Sequence, residues 1–169
     1  IKCRLGNDTD LSVFTEIDIF DIISIPDDCR VFSRPSPDAD HFGMVRISDD
    51  QGKTWRKVMM PKSNGHVHAN VVELEPGHLA AFMRNREAYR IHRSESFDWG
   101  ETWSEPVPTP LPNNNSSISA IKLQSGRVAI AYNPTCTPDP QPGKAAWPGL
   151  RCPVAVALSE DGGLRSEEH

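Results

Sequence analysis

The sequence predicts an all-β fold in which short antiparallel sheets repeat along the chain, and three observations lead to this prediction. Three segments each show an alternating apolar run, a tight turn and a second apolar run, the pattern typical of a β-hairpin. A second turn motif, built from Ser, Asp, Gly, Thr and Trp, follows each hairpin. Proline makes up 15 of the 169 residues, about 9% against roughly 5% on average, which disfavours long helices.

The three hairpins occupy corresponding positions in three repeats. They run over residues 21–34, 70–84 and 120–133, with turns at residues 26–28, 75–77 and 124–126. Pro, Asp, Gly and Ser at these turns have the backbone preferences that tight turns require. A shorter apolar strand follows each hairpin and precedes the second motif, so we expect four strands in each repeat.

The second turn motif reads Ser-x-Asp-x-Gly-x-Thr-Trp. It is complete at residues 48–55 and 96–103, and a third copy begins at Ser159 but departs from the pattern at residues 164–166. The Asp accepts hydrogen bonds from backbone amides, the Gly permits a positive φ, and the Thr and Trp begin the next strand. We therefore expect each copy to join the third strand of a repeat to the fourth, with the Trp covering the step between neighbouring sheets.

This motif resembles the Asp-box, or BNR, repeat, and over about residues 18–163 the chain is similar to a sialidase-type β-propeller. The resemblance implies about three four-stranded antiparallel blades, at residues 18–60, 66–110 and 117–163, within a single partial propeller of residues 1–169. A closed propeller needs roughly four to eight blades, so the remaining blades of a longer chain are one expected partner. We place the fourth strand of the second blade at residues 102–108 and expect a missing or irregular fourth strand in the third.

Propeller topology divides the loops between the two ends of the blades. The hairpin turns and the Asp-box turns share one end, here called the turn end. The loops between second and third strands and the connections between blades share the other, here called the mouth end. In sialidases the mouth end carries the site. The corresponding loops here are rich in Arg, His, Asn, Asp and Tyr, and they comprise residues 33–41, 63–70, 83–90, 112–117 and 132–152.

Three arginines near the ends of second strands are candidate substrate-binding residues. Arg34 and Arg84 occupy equivalent positions in successive blades, and Arg86 follows two residues later. A guanidinium binds a carboxylate through two parallel hydrogen bonds, and sialidases hold the carboxylate of sialic acid with three arginines. Residues 41–95 carry nine basic and six acidic residues, a bias that favours an anionic ligand. The alternative is that these arginines pair with nearby acids on exposed loops.

Candidate catalytic residues lie in the same loops. Asp40 is a candidate general acid, and Tyr89, close to Glu87, is a candidate nucleophile or proton donor. His68 is a candidate acid or base, and His66 is a candidate substrate ligand on the same side of a strand. The two histidines lack an obvious third ligand, so we expect no metal, and no motif indicates a cofactor.

Asn113, Asn114 and Asn115 form a run of amides that enters an innermost strand. Amides donate and accept hydrogen bonds and therefore suit sugar hydroxyls, so these three residues are further substrate-binding candidates. The long loop of the third blade carries Trp147, which is more readily explained as an anchor of that loop than as a sugar-stacking platform.

Charge and cysteine content limit the partners and the compartment. The 18 basic and 23 acidic residues give a net charge of −5, which argues against nucleic acid. No apolar run approaches the roughly 18 residues that a membrane span needs. Pairing of Cys136 with Cys152 and of Cys3 with Cys29 would indicate an oxidising compartment, secreted or periplasmic. Free thiols are the alternative.

Three functions from different classes fit these features. The first is a sialidase-like glycoside hydrolase domain that acts on acidic, sialic-acid-type glycans, or an inactive fragment of one. The second is a polysaccharide lyase, in which arginine neutralises a uronate carboxylate while His68 and Tyr89 supply base and acid; the absence of the sialidase Arg-Ile-Pro sequence keeps it open. The third is a propeller that binds carbohydrate or protein without catalysis. A glycan is the ligand common to all three.

Overall fold

The computed structural model describes residues 31–33, 42–50, 52–148, 151–165 and 167–168. Within these residues the chain forms eleven β-strands and no helix, which confirms the all-β prediction. Accordingly, this part of the chain offers no long apolar helix that would cross a membrane. Several predictions lie outside the described residues: the strand at 18–25, the site residues Arg34 and Asp40, and the pairing of Cys3 with Cys29.

The strands form three antiparallel sheets that follow one another along the chain. Blade one contains β1 (Val31–Ser33), β2 (Phe42–Ser48) and β3 (Arg56–Asn64). Blade two contains β4 (His66–Glu75), β5 (His78–Asn85), β6 (Arg90–Ser96) and β7 (Val107–Pro112). Blade three contains β8 (Ser119–Lys122), β9 (Val128–Tyr132), β10 (Ala155–Ser159) and β11 (Glu167–Glu168). Each strand pairs with the next within its sheet, which is the arrangement of propeller blades. The fold is a partial β-propeller.

The second strand of blade two, β5, is apolar without interruption because both of its faces are buried. Leu79, Ala81 and Met83 belong to the cluster shared with blade one, whereas Ala80 and Phe82 belong to the cluster shared with blade three. The partners on the two sides are Val45, Ile47 and Met60 from blade one, and Val128, Ile130 and Tyr132 from blade three. Each of the larger side chains contributes roughly 1.5–3 kcal/mol by its burial, so blade two holds its neighbours together.

The fourth strand of blade two was predicted at residues 102–108, and that position is wrong because β7 begins at Val107. Thr102 and Trp103 remain within the Asp-box turn, where the Trp103 indole N–H donates to the Gly100 carbonyl at 3.0 Å. Pro106 lacks an N–H with which to continue a ladder, and pairing with β6 is found from Val107 onward. The expectation for blade three was an irregular fourth strand, and β11 contains two residues.

The two complete Asp-box turns share one set of hydrogen bonds. In the first, the Asp50 carboxylate accepts the Thr54 amide at 2.8 Å and the Thr54 hydroxyl at 2.6 Å, while the Ser48 hydroxyl accepts the Gly52 amide at 2.7 Å. These bonds, from Thr54 above all and also from Ser48, lower the pKa of Asp50 to about 2. In the second turn, Asp98 accepts the Thr102 amide at 2.9 Å and the Thr102 hydroxyl at 2.6 Å.

The third Asp-box turn keeps half of this pattern although its sequence departs from the motif. Asp161 accepts the Ser159 hydroxyl at 2.8 Å and the Arg165 amide at 2.8 Å. The Ser159 hydroxyl also accepts the Gly163 amide at 2.8 Å. The backbone turn therefore needs only the Ser, the Asp and the Gly, whereas the Thr hydroxyl and the Trp add contacts in the other two copies.

Candidate functional site

The mouth end of blade two is organised by the turn between β5 and β6. The Asn85 side-chain oxygen accepts the Glu87 amide at 2.6 Å, and the Asn85 carbonyl accepts the Ala88 amide at 3.1 Å. Ala88 lies in the left-handed region at φ 56°, which the short turn requires. This fixed turn determines where Arg86, Glu87 and Tyr89 stand.

The long loop of blade three, residues 134–148, lies against that turn. The Thr137 amide donates to the Ala88 carbonyl at 2.7 Å, and the Ala146 amide donates to the Arg86 carbonyl at 2.8 Å. The Gly143 amide donates to the Glu87 carboxylate at 2.7 Å. The loop of one blade thus forms a wall on the next blade, and we call it the blade-three loop.

A cleft of about 370 Å³ lies between the blade-three loop and blade two. Its lining residues are Asn64, Gly65, Arg86, Glu87, Gly143, Lys144 and Ala145. The lining carries two cations and one carboxylate, and that carboxylate already accepts the Gly143 amide. The cleft is therefore suited to an anionic ligand.

Arg84 lies beside this cleft at the end of β5 and is partly buried. Its guanidinium donates to the Asn115 carbonyl at 2.9 Å, which ties β5 to the connection between blades two and three. Arg84 and Arg86, both predicted to bind substrate, stand at the same end of blade two. Their role as a carboxylate clamp remains a prediction.

The three asparagines are buried and bonded to backbone groups. The Asn113 side-chain oxygen accepts the amides of Asn85 at 3.2 Å and of Asn115 at 3.0 Å, and the Asn114 oxygen accepts the Ser116 amide at 3.2 Å. The Asn115 side-chain N–H donates to the Ala146 carbonyl at 2.9 Å. These bonds join the connection to its surroundings, so a sugar-binding role for these amides remains a prediction.

The predicted pair of histidines does not follow a simple strand alternation. His68 has φ 58°, and the pairing of β4 with β5 is irregular between Val67 and Asn70. The expectation that His66 and His68 share one side because they are two residues apart is therefore not supported by the backbone. The His68 carbonyl accepts the Asn70 side-chain N–H at 3.2 Å, and the same group donates to Ile118 in blade three.

His66 is buried beside a histidine that the sequence did not single out. Its ring centroid lies 4.1 Å from that of His92, and its Nε2 lies 3.3 Å from the Asn85 side-chain nitrogen. Burial lowers the pKa of His66, and burial together with the neighbouring His66 lowers the pKa of His92 to about 4. Both rings are therefore neutral at pH 7, and neither supplies a cation to the mouth end.

Tyr89 is 41% exposed, so its ring is accessible at the mouth end. The Arg90 guanidinium lies 5.0 Å from the centre of the Tyr89 ring, and the Tyr89 carbonyl accepts the Asn113 amide at 3.0 Å. The Glu87 carboxylate, by contrast, is engaged with Gly143. Glu87 therefore holds a loop, and whether Tyr89 acts in catalysis remains a prediction.

Several residues at the cleft escaped the sequence reasoning. Lys144 and Gly143 lie in a proline-rich stretch without periodicity, and no signal in the sequence shows which blade that stretch contacts. Asn133 anchors the far end of the loop through side-chain bonds to the carbonyls of Arg151 at 2.6 Å and Pro153 at 3.0 Å. Its position at the end of a second strand, equivalent to that of Asn85, is the signal that was available.

The remaining chemistry of the loop is that of thiols and carboxylates. Cys136 and Cys152 are free, so the disulfide considered for them is not formed. Among the described side chains, no group of three or more His, Cys, Asp or Glu residues is arranged to hold a metal ion.

Comparison with known proteins agrees with this architecture. The sequence profile of the BNR repeat-like domain matches residues 31–168. The NanB sialidase from Streptococcus pneumoniae superposes with a TM-score of 0.58 and 24% identity, over 76% of this chain and 19% of its own. The Hadza microbial sialidase Hz136 gives a TM-score of 0.58 and 24% identity, over 74% of this chain and 24% of its own.

A leech intramolecular trans-sialidase, solved with 2,7-anhydro-Neu5Ac, gives a TM-score of 0.51 and 21% identity, over 68% of this chain and 16% of its own. The chain thus spans about a quarter or less of the length of these three structures. At this level of identity the likeness shows the fold. No curated protein sequence matches the chain.

Proposed function

The chain belongs to the sialidase-like family of BNR repeat domains, and from that premise we propose that it forms part of a glycoside hydrolase acting on acidic, sialic-acid-type glycans. The observation that carries the proposal is the cleft at the mouth end of blade two, where Arg86 and Lys144 line about 370 Å³ of space. Its size lies at the lower end of the range for small-molecule sites and suits one sugar ring.

The chemistry of the cleft favours a carboxylate. Arg86 and Lys144 provide two positive charges, and Arg84 lies beside them at the end of β5. An arginine binds a carboxylate through paired, charge-assisted hydrogen bonds, which are stronger than neutral ones. We propose that Arg84 and Arg86 orient the acidic sugar, with Arg34 as a further ligand from blade one.

Hydrolysis needs a proton donor and a group that stabilises the developing oxocarbenium ion. We propose Asp40 as the donor and Tyr89 as the nucleophile, because Tyr89 is accessible at the mouth end. His66 and His68 lie on β4 at the same end, and the lowered pKa of His66 makes it a neutral hydrogen-bonding group. His66 is thus assigned to substrate positioning, and His68 to proton transfer.

Release of sialic acid from a fluorogenic sialoside tests this proposal. Arg84→Ala is expected to lower kcat/KM by at least tenfold, because it removes a charged partner of the carboxylate. Arg127→Ala, at the turn end of blade three, is the matched control and is expected to keep the activity. Activity that survives the loss of Arg84 would refute the clamp, and no turnover of any sialoside would refute the hydrolase.

A polysaccharide lyase is the second candidate, and one observation favours it. Glu87 is the only carboxylate that lines the described part of the cleft, and it is bonded to Gly143. In a lyase the arginines would neutralise a uronate carboxylate, while His68 and Tyr89 would supply base and acid. Ultraviolet absorbance from an unsaturated product, after incubation with uronate polymers, distinguishes the two reactions. Glycan binding without any turnover would leave a binding module.

We further propose that other blades of a longer chain cover the outer face of blade three. This face is formed by alternate residues of β8, β9 and β10, which are Ile121, Ala129, Ala131, Val156 and Leu158. Ile121 and Val156 are exposed there, although strand interiors of this kind are normally covered. Solved sialidases of this fold are four or more times longer than the matched segment.

A further inference from the structure

The blade-three loop carries an aromatic side chain that the acidic-sugar cleft does not use. Trp147 is 59% exposed, and its indole lies beside Arg86, with the guanidinium carbon 5.7 Å from the ring centre. The sequence alone favoured a loop anchor for this residue. An anchor would be buried, so its exposure requires another explanation.

The backbone before Trp147 is fixed on both sides. The Ala146 amide donates to the Arg86 carbonyl at 2.8 Å, and the Ala146 carbonyl accepts the Asn115 side-chain N–H at 2.9 Å. Three residues earlier, Gly143 is held by Glu87. A large ring held in place while most of its surface meets solvent is a preorganised platform, because little freedom remains to be lost when a ligand stacks on it.

A buried acceptor lies next to the same backbone. The side-chain oxygen of Asn115 has no hydrogen-bond partner, and the residue is 1% exposed. Such an atom is costly unless a donor reaches it. It belongs to the side chain that holds Ala146, one residue before the platform. A sugar hydroxyl is a donor of suitable size.

We propose that Trp147 and Asn115 form a second sugar subsite, which binds the residue linked to the acidic sugar held by Arg84 and Arg86. This inference rests on the proposed function and specifies its substrate as an oligosaccharide with an acidic end. The cleft holds about one ring, and Trp147 lies outside its lining but next to Arg86. The second ring therefore stacks on the indole. Glu87 is a positioning residue, since it acts through the loop.

Calorimetric titration of the full chain with two probes tests the proposal. The probes are free N-acetylneuraminic acid, a single acidic sugar, and sialyllactose, in which two neutral sugars follow the acidic one. We expect sialyllactose to bind about tenfold more tightly, because an aromatic platform contributes an affinity factor of that order. Trp147→Ala is expected to abolish this difference and to leave the affinity for the single sugar unchanged.

Two further variants separate a platform from a structural role. Trp147→Phe keeps an aromatic face and is expected to retain most of the gain with sialyllactose. Trp99→Phe alters a half-exposed indole at the turn end and is expected to change neither affinity. Circular dichroism spectra that match those of the original chain show that each variant is folded.

The outcomes are distinguishable. Equal affinities of the original chain for both probes, or equal weakening of both by Trp147→Ala, would overturn the subsite while leaving the acidic-sugar cleft in place. Absence of binding by either probe would overturn the proposed function and the subsite together.

Discussion

The mouth end of blade two depends on single residues whose backbone angles or burial leave little choice of side chain. Asn85 closes the turn between β5 and β6, Ala88 takes a positive φ within it, and Asn115 takes φ 62° at the next connection. Their hydrogen bonds and backbone angles serve the loops rather than a ligand. The sequence showed these amides as possible ligands because it cannot show which backbone groups surround them.

The Asp-box glycine of blade three gives the first prediction at this scale. Gly163 has φ 91°, and a Cβ atom there would lie 2.5 Å from the Phe82 ring. Gly163→Ala is expected to destabilise the chain by roughly 1–3 kcal/mol through backbone strain and overpacking. Urea unfolding measures the change.

Gly126→Ala is the matched control for that substitution. Gly126 has φ 85°, and a Cβ atom there would meet nothing within 4 Å. It therefore carries only the backbone part of the penalty. Equal losses in the two variants would show that the close approach to Phe82 has no energetic effect.

The buried histidines give a prediction about pH. The ordinary pKa is 6.5, and burial followed by the effect of His66 lowers the pKa of His92 to about 4. Between these values the unfolded chain binds a proton that the folded chain does not, so the free energy of unfolding falls as the pH drops from about 6.5 to about 4. His92→Gln is expected to reduce this slope in unfolding curves recorded at several pH values. An unchanged slope would assign the effect to other groups.

Among the structural elements, the central strand β5 has the greatest effect on stability. Phe82 is fully buried in the cluster shared by blades two and three. Phe82→Ala is expected to cost about 3–5 kcal/mol in the free energy of unfolding. Phe97→Ala, at a ring that is 71% exposed, is expected to stay within about 0.5 kcal/mol. A small effect at Phe82 would contradict the packing of blade three on blade two.

The elements also show how far the sequence could be used for prediction. The hairpins and the Asp-box turns were predictable because their chemistry is local: a Ser and an Asp bond to amides a few residues away. The start of β7 was misplaced because Thr102 and Trp103 complete the turn before the strand begins. The cleft could not be predicted, since the Glu87 carboxylate and the Gly143 amide meet across 56 positions of sequence.

At the scale of the whole molecule, the outer face of blade three predicts self-association of this chain when no other blade covers the face. Val156→Lys places a charge among the exposed apolar residues of β10 and is expected to shift the chain towards monomer in analytical ultracentrifugation. Val107→Lys, at an exposed position in blade two, is the control and is expected to leave the association unchanged. A chain that is monomeric before substitution would contradict this prediction.

Blade two also differs from its neighbours in that both of its broad faces are covered within the described chain. The amides of β5 are shielded on both sides, so they should exchange with deuterated solvent more slowly than those of β8 or β10. Opening that begins in blade three would leave the pairing of β4, β5 and β6 intact. The resistance of this chain to transient opening is thus greatest in its middle sheet and decreases towards the blades on either side.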